Sequence, residues 1–135
     1  MGTTARQYIL KMITRYKRYE EDDMKIAIPV VNGVLNTHFG HCKEFVFIEA
    51  DRESKEIVKE DTVAAPPHEP GLLPHWLSQR GVTMVIAGGM GQRAQGLFSE
   101  EGIEVVVGAP AEDPKTLVLQ YLAGNLVTGD NACDH

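Results

Sequence analysis

Cysteine is scarce in this chain: two among 135 residues, Cys42 and Cys133, ninety-one positions apart. Two are too few for a disulfide scaffold, which excludes the small cross-linked secreted modules and leads us to expect a reducing, cytoplasmic setting. Long apolar runs are missing too. No stretch approaches the roughly 20 residues that a membrane-spanning helix needs, and Met1-Gly-Thr-Thr-Ala-Arg6 lacks the apolar core of a secretory signal. Nor is there an excess of positive charge. The formal net charge of −6 argues against general affinity for nucleic acid. Cys-x-x-Cys pairs are absent, and with them zinc-finger spacing. No nucleophile–base constellation marks an enzyme, so a non-catalytic protein is expected.

What is present is a 43% apolar composition suited to one soluble domain of modest core, expected to be a monomer. Charge is unevenly distributed. Residues 1–19 carry five Lys/Arg and no acid, Glu20-Glu-Asp-Asp23 follows, and from Met24 onward eight bases face fifteen acids. Ala5, Tyr8, Ile9, Met12, Ile13, Tyr16 and Tyr19 recur at helical spacing among basic residues. Residues 1–23 therefore read as a basic amphipathic leader, with an acidic run at the wrong end for a helix dipole. Residues 24–135 read as the domain proper.

That domain alternates. Strands are expected at Lys25–Val31, Glu44–Glu49 and Glu56–Thr62, the last two joined as a hairpin through Asp51-Arg-Glu-Ser54, and a loop over 32–42 separates the first two. A Pro-rich loop, Ala64–Gly71, precedes a short helix over Leu72–Arg80, with Pro74 in its first turn and Trp76 as a core anchor. Met84–Ala87 reads as a buried strand, Gly88-Gly-Met-Gly91 as a turn, Gln92–Glu101 as a helix and Glu104–Val107 as a strand. Asp113-Pro114 starts a helix that Gly124 ends. Five strands with helices on both faces follow from right-handed crossovers.

Two places carry chemistry. His38-Phe-Gly-His-Cys42 puts two imidazoles and a thiol within five positions, and Cys133-Asp-His135 closes the chain. Thiolate and imidazole suit soft or borderline metals such as Cu(I), zinc or iron–sulfur clusters. Gly88-Gly-Met-Gly91 opens a helix after an apolar strand, where backbone N–H groups and the helix start form an anion-receptive cradle that Arg93 supplements and to which Met90 could offer a thioether. Each feature also has a plainer reading: a turn that needs positive φ at one of the glycines, a packing Met90, a buried small Cys42. Asn32, Asn36 and Thr37 belong to the same first loop and could hydrogen-bond a bound sulfide. Gly89-Met-Gly-Gln-Arg-Ala94 formally matches a dinucleotide fingerprint. The strand after it runs into Gly108-Ala-Pro instead of the ribose-binding acid, so that reading fails.

In order and spacing, Met24-Lys-Ile-Ala-Ile-Pro, His38-Phe-Gly-His-Cys42 ahead of Phe45-Val-Phe-Ile, Leu73-Pro-His-Trp-Leu77, Gly81-Val82, Val85-Ile-Ala-Gly-Gly-Met-Gly91 with Ala94 and Leu97, and Gly102-Ile103 resemble the dinitrogenase iron–molybdenum cofactor-binding family. The resemblance covers about residues 24–135 and extends to nitrogenase cofactor carriers and the orange-protein branch. It implies a three-layer, ribonuclease-H-like α/β fold around a mixed five-stranded sheet. It implies binding or carriage of a metal–sulfur cluster, either iron–molybdenum cofactor or a molybdenum–copper sulfide, with a protein partner in cluster transfer. His38, His41 and Cys42, joined by Cys133 and His135, would be metal ligands. Asn32, Asn36, Thr37, His38, Phe39, Gly40, His41, Gly88, Gly89, Met90, Gly91 and Arg93 would surround the cluster. The alternative is a metal-free interaction or regulatory module that docks through its leader.

Overall fold

A computed structural model of the chain describes residues 23–37, 39, 42–67, 69 and 71–130. The basic leader therefore lies outside the described residues, apart from Asp23. The elements run β1 (Asp23–Val31), β2 (Val34–Leu35), β3 (Glu44–Asp51), β4 (Glu56–Ala64), α1 (Leu72–Gln79), β5 (Met84–Ile86), α2 (Gln92–Glu100), β6 (Glu104–Val106) and α3 (Pro114–Ala123). The sheet order is β4-β3-β1-β5-β6, with β2 paired to β1 off this path. β1, β3 and β4 are antiparallel neighbours, while β1, β5 and β6 run parallel. The architecture is the mixed α/β sheet expected from the sequence.

Alternation along each strand decides which face a side chain serves. Ile26, Ile28, Val46, Ile48, Met84 and Ile86 meet Leu117 and Val118 of α3 on one face. Ala27, Phe45, Phe47 and Val85 meet Leu77 of α1 and Phe98 of α2 on the other. Because both faces are covered, the central strands are apolar at successive positions, and Ile26, Ala27 and Ile28 are all fully buried. Trp76 packs on Phe45 and Phe47, ring centroids 6.0 and 6.1 Å away, and the Arg80 guanidinium stacks over its outer side. The edge strand β4 is exposed along most of its length and charged at Lys59, Glu60 and Asp61, which blunts edge-to-edge pairing.

Local signals account for the ends of elements. The buried Asp51 closes the β3–β4 hairpin, its Oδ1 accepting from the N–H of Glu53 at 2.9 Å. Asp113 caps α3 by accepting from the Thr116 N–H, Pro114 occupies the first turn, and Gly124 ends the helix in the left-handed conformation.

One expectation needs correcting. The stretch 32–42 is not all loop, because Val34–Leu35 pairs back on Val31 and Val30 as a sixth, two-residue strand. The turn between them is Asn32-Gly33, with φ of 52° and 83°. Both values are positive, as a two-residue hairpin turn matched to strand twist requires, and Asn-Gly is its strongest sequence signal. β3 already pairs with β1 as far as Val30. β2 must therefore use the other edge of β1, which is free because β5 ends at Ile86. The first loop is thereby laid end-on against the chain leaving β5.

Candidate functional site

β1, β5 and β6 are parallel, so their C-terminal ends open at one end of the sheet, the position where open α/β sheets present their ligand crevices. Three connections meet there and are joined by backbone hydrogen bonds. The Asn36 N–H donates to the Pro29 carbonyl at 2.8 Å, turning the first loop toward β5. The Phe39 N–H donates to the Gly89 carbonyl at 3.1 Å, joining that loop to the glycine turn. The Gly108 N–H donates to the Gly88 carbonyl at 2.8 Å, joining the turn to the chain after β6.

Gly88 is where these segments cross. A Cβ there would lie 2.9 Å from the Thr37 Cα, 3.2 Å from its carbonyl oxygen and 3.2 Å from a Leu35 methyl. The expected reason for a glycine in this turn, a positive φ, does not apply to Gly88, Gly89 or Gly91. The requirement is close approach: only a bare backbone lets the first loop rest on the turn.

Gly91 is the N-cap of α2. Its φ and ψ are −65° and 156°, it is exposed, and no side chain caps the helix. Among the described residues, then, the first-turn N–H groups of α2 have no side-chain cap, at the positive end of the helix dipole. Arg93 is exposed on that same turn. Met90 lies beneath, 1% exposed, in the core shared with Phe98, and its carbonyl accepts from the Gln95 side-chain amide at 2.9 Å.

The structure brings Thr37 and Phe39 against Gly88 and Gly89, while Asn36 is held to Pro29 by its N–H. Phe39 is half-buried, its ring edge-on to Phe98 at 5.4 Å and tilted toward Phe45 at 6.1 Å. The half-buried Cys42 ends the same loop against the same cluster and forms no disulfide among the described residues. Asn32 sits at the exposed tip of the β1–β2 hairpin, past the point where the loop meets the turn. His38, Gly40, His41, Cys133 and His135 lie outside the described residues, among which no three His, Cys, Asp or Glu groups converge as a metal site.

Sequence reasoning missed Gly108. Gly88 and Gly108 each follow a strand by two positions, and those strands are in register, Ile86 opposite Val106. That repeated strand-then-glycine spacing was the available signal.

A family profile described as dinitrogenase iron-molybdenum cofactor matches residues 23–124. The uncharacterised protein MJ0580 of Methanocaldococcus jannaschii is 35% identical over 86 residues, covering 61% of this chain and 72% of that protein. The crystal structure of PH0822 superposes with a TM-score of 0.72 at 28% identity, covering 78% of this chain and 94% of that one. The apo orange protein of Desulfovibrio gigas shares the fold, with a TM-score of 0.60 at 19% identity over 80% of this chain and 94% of that one. With its fold and the matched span in agreement, the chain belongs to the dinitrogenase iron-molybdenum cofactor family.

Proposed function

We propose that this protein binds and carries an anionic metal–sulfur cluster, without catalysing a reaction, in a cleft between the loop over residues 36–42 and the turn over residues 88–91. The cargo is a molybdenum-containing cluster, either iron–molybdenum cofactor or a molybdenum–copper sulfide. The single observation that carries this reading is the join itself: Phe39 N–H to Gly89 carbonyl at 3.1 Å, beside a helix start that no side chain caps. Membership in a family named for that cofactor supports the choice of cargo.

The residues divide the work by chemistry. The Cys42 thiolate and the His38 and His41 imidazoles are soft donors for the metal. The opening amides of α2 and the Arg93 guanidinium meet the negative sulfide surface, and hydrogen bonds to a charged acceptor contribute about 1.5–3 kcal/mol each. Asn36 and Thr37 add polar contacts from the loop side. Phe39 and the buried Met90 act through packing, holding loop and turn together and keeping water from one wall. A carrier that releases its cargo to a partner protein needs many weak contacts of this kind and few covalent ones.

The test is reconstitution of anaerobically purified protein, in one series with tetrathiomolybdate and Cu(I) and in another with iron–molybdenum cofactor, followed by visible absorption. A saturable band at a fixed protein-to-cluster ratio is expected, and it should be lost when His38→Ala is combined with Cys42→Ser. No band in either series, or a band unchanged in the double variant, overturns the reading.

A further inference from the structure

We infer that Gln95 is a positioning residue for the candidate cluster site: its side-chain amide sets the plane of the Met90–Gly91 peptide and so fixes where the Gly91 N–H points. The inference rests on the cluster-binding reading proposed above and names the side chain that controls one of its anion contacts.

All four carbonyls of the glycine turn are held. Gly88 accepts from the Gly108 N–H at 2.8 Å, and Gly108 is itself tied to the tail beyond α3, its carbonyl accepting from the Gly129 N–H at 2.8 Å. Gly89 accepts from the Phe39 N–H at 3.1 Å. Gln95 holds the remaining two. Its backbone N–H donates to the Gly91 carbonyl at 3.1 Å, and its Nε2 donates to the Met90 carbonyl at 2.9 Å. Three of these four donors are backbone groups, and the Gln95 amide is the one side chain among them.

A trans peptide is planar and points its N–H opposite its carbonyl. Fixing the Met90 carbonyl therefore fixes the Gly91 N–H, directed away from the Gln95 amide. The Gly91 side of this peptide has little else to hold it. Gly91 is exposed, a Cβ there would meet nothing within 4 Å, and glycine has the widest freedom in φ. Packing on that side cannot set the plane, and the Gln95 amide does. Helix propensity alone would accept alanine, leucine or methionine at this position as readily as glutamine. What glutamine adds is a neutral donor that reaches back one turn from the half-buried flank of α2. An N–H aimed before the anion arrives need not be ordered on binding, and such pre-organisation raises affinity.

Gln95→Met keeps the length and helix propensity of the side chain and loses the donor. Titrated with tetrathiomolybdate and Cu(I) beside the unaltered chain, it should bind about tenfold more weakly, the loss typical when a hydrogen-bond partner behind the contacting groups is removed. Gln95→Glu adds a pH readout, because an ionised carboxylate cannot donate and a protonated one can. In the cluster-free variant the Gly91 amide resonance should be displaced at pH 7. It should return toward its position in the unaltered chain as pH falls through the carboxyl range, about 4.3. A side chain that served only packing would give no such return. Gln95→Met binding within about twofold of the unaltered chain overturns the positioning role and leaves the loop-and-turn site standing, as does a Gly91 resonance that fails to return in Gln95→Glu. Weaker binding accompanied by lost amide protection throughout α2 and β5 also overturns it, since Gln95 would then support the fold and not the site. No band with the unaltered chain overturns the cluster reading and this inference with it.

Discussion

Gly88 and Gly91 sit three residues apart in the same turn and are glycine for opposite reasons. At Gly88 a methyl group would meet the Thr37 backbone at 2.9 Å, and backbone cannot rotate away as a side chain can. Gly88→Ala is therefore expected to cost about 1–3 kcal/mol, as overpacking of a tight contact does, measured as a lower urea midpoint with unchanged slope. At Gly91 nothing lies within 4 Å and the backbone is extended, so a side chain fits. Gly91→Ser would cap α2 and stabilise the protein by a few tenths of a kcal/mol. The same hydroxyl would occupy the N–H groups left open for an anion, so cluster binding should weaken while thermal stability rises. If the two quantities rise together, the open helix start has no part in binding. The motif Gly-Gly-Met-Gly was legible as a turn. Which glycine served packing and which served exposure was not, because that depends on Thr37, fifty-one positions earlier.

At the level of elements, the smallest strand has the largest consequence for the site. β2 is two residues long, yet it sets the first loop against β5, and the Leu35 N–H ties it to the Glu112 carbonyl ahead of α3 at 3.0 Å. Its hairpin depends on Gly33 at a φ of 83°. Gly33→Ala places a Cβ in the left-handed region at a cost of roughly 1–2 kcal/mol. The expected result is faster amide hydrogen exchange at Leu35 and Asn36, with the β3–β4 hairpin unaffected. Equal protection in both proteins would mean that the loop holds its place without the turn. One residue beyond Glu112, Asp113→Ala removes the side-chain N-cap of α3 and should cost about 1 kcal/mol, read from thermal unfolding. The longer elements were legible because each carries a periodic apolar pattern and a terminator. β2 is too short to have a period, and its single signal, Asn-Gly, was absorbed into the description of a loop.

At the scale of the molecule, charge sets the long-range field and the sheet end sets the local one. From Met24 onward fifteen acids outnumber eight bases, so the anionic cluster proposed above would approach a repelling body before reaching the amides of α2 and Arg93. Raising ionic strength from about 0.02 M to about 0.3 M shortens the Debye length to well under 10 Å. Uptake of tetrathiomolybdate should then speed up a few-fold in stopped-flow absorption, and a slower rate would show that local attraction dominates the approach. No helix among the described residues is long and apolar enough to cross a membrane. The sequence by itself determined the order of the longer strands and helices and the type of donor available. Those properties follow from local periodicity, capping residues and side-chain chemistry. Only the tertiary structure decided that the first loop, the glycine turn and the tail meet at one end of the sheet. That meeting depends on backbone contacts among residues 37, 88, 108 and 129, where the absence of a side chain is what allows the approach, and local sequence does not reveal what a bare backbone will touch.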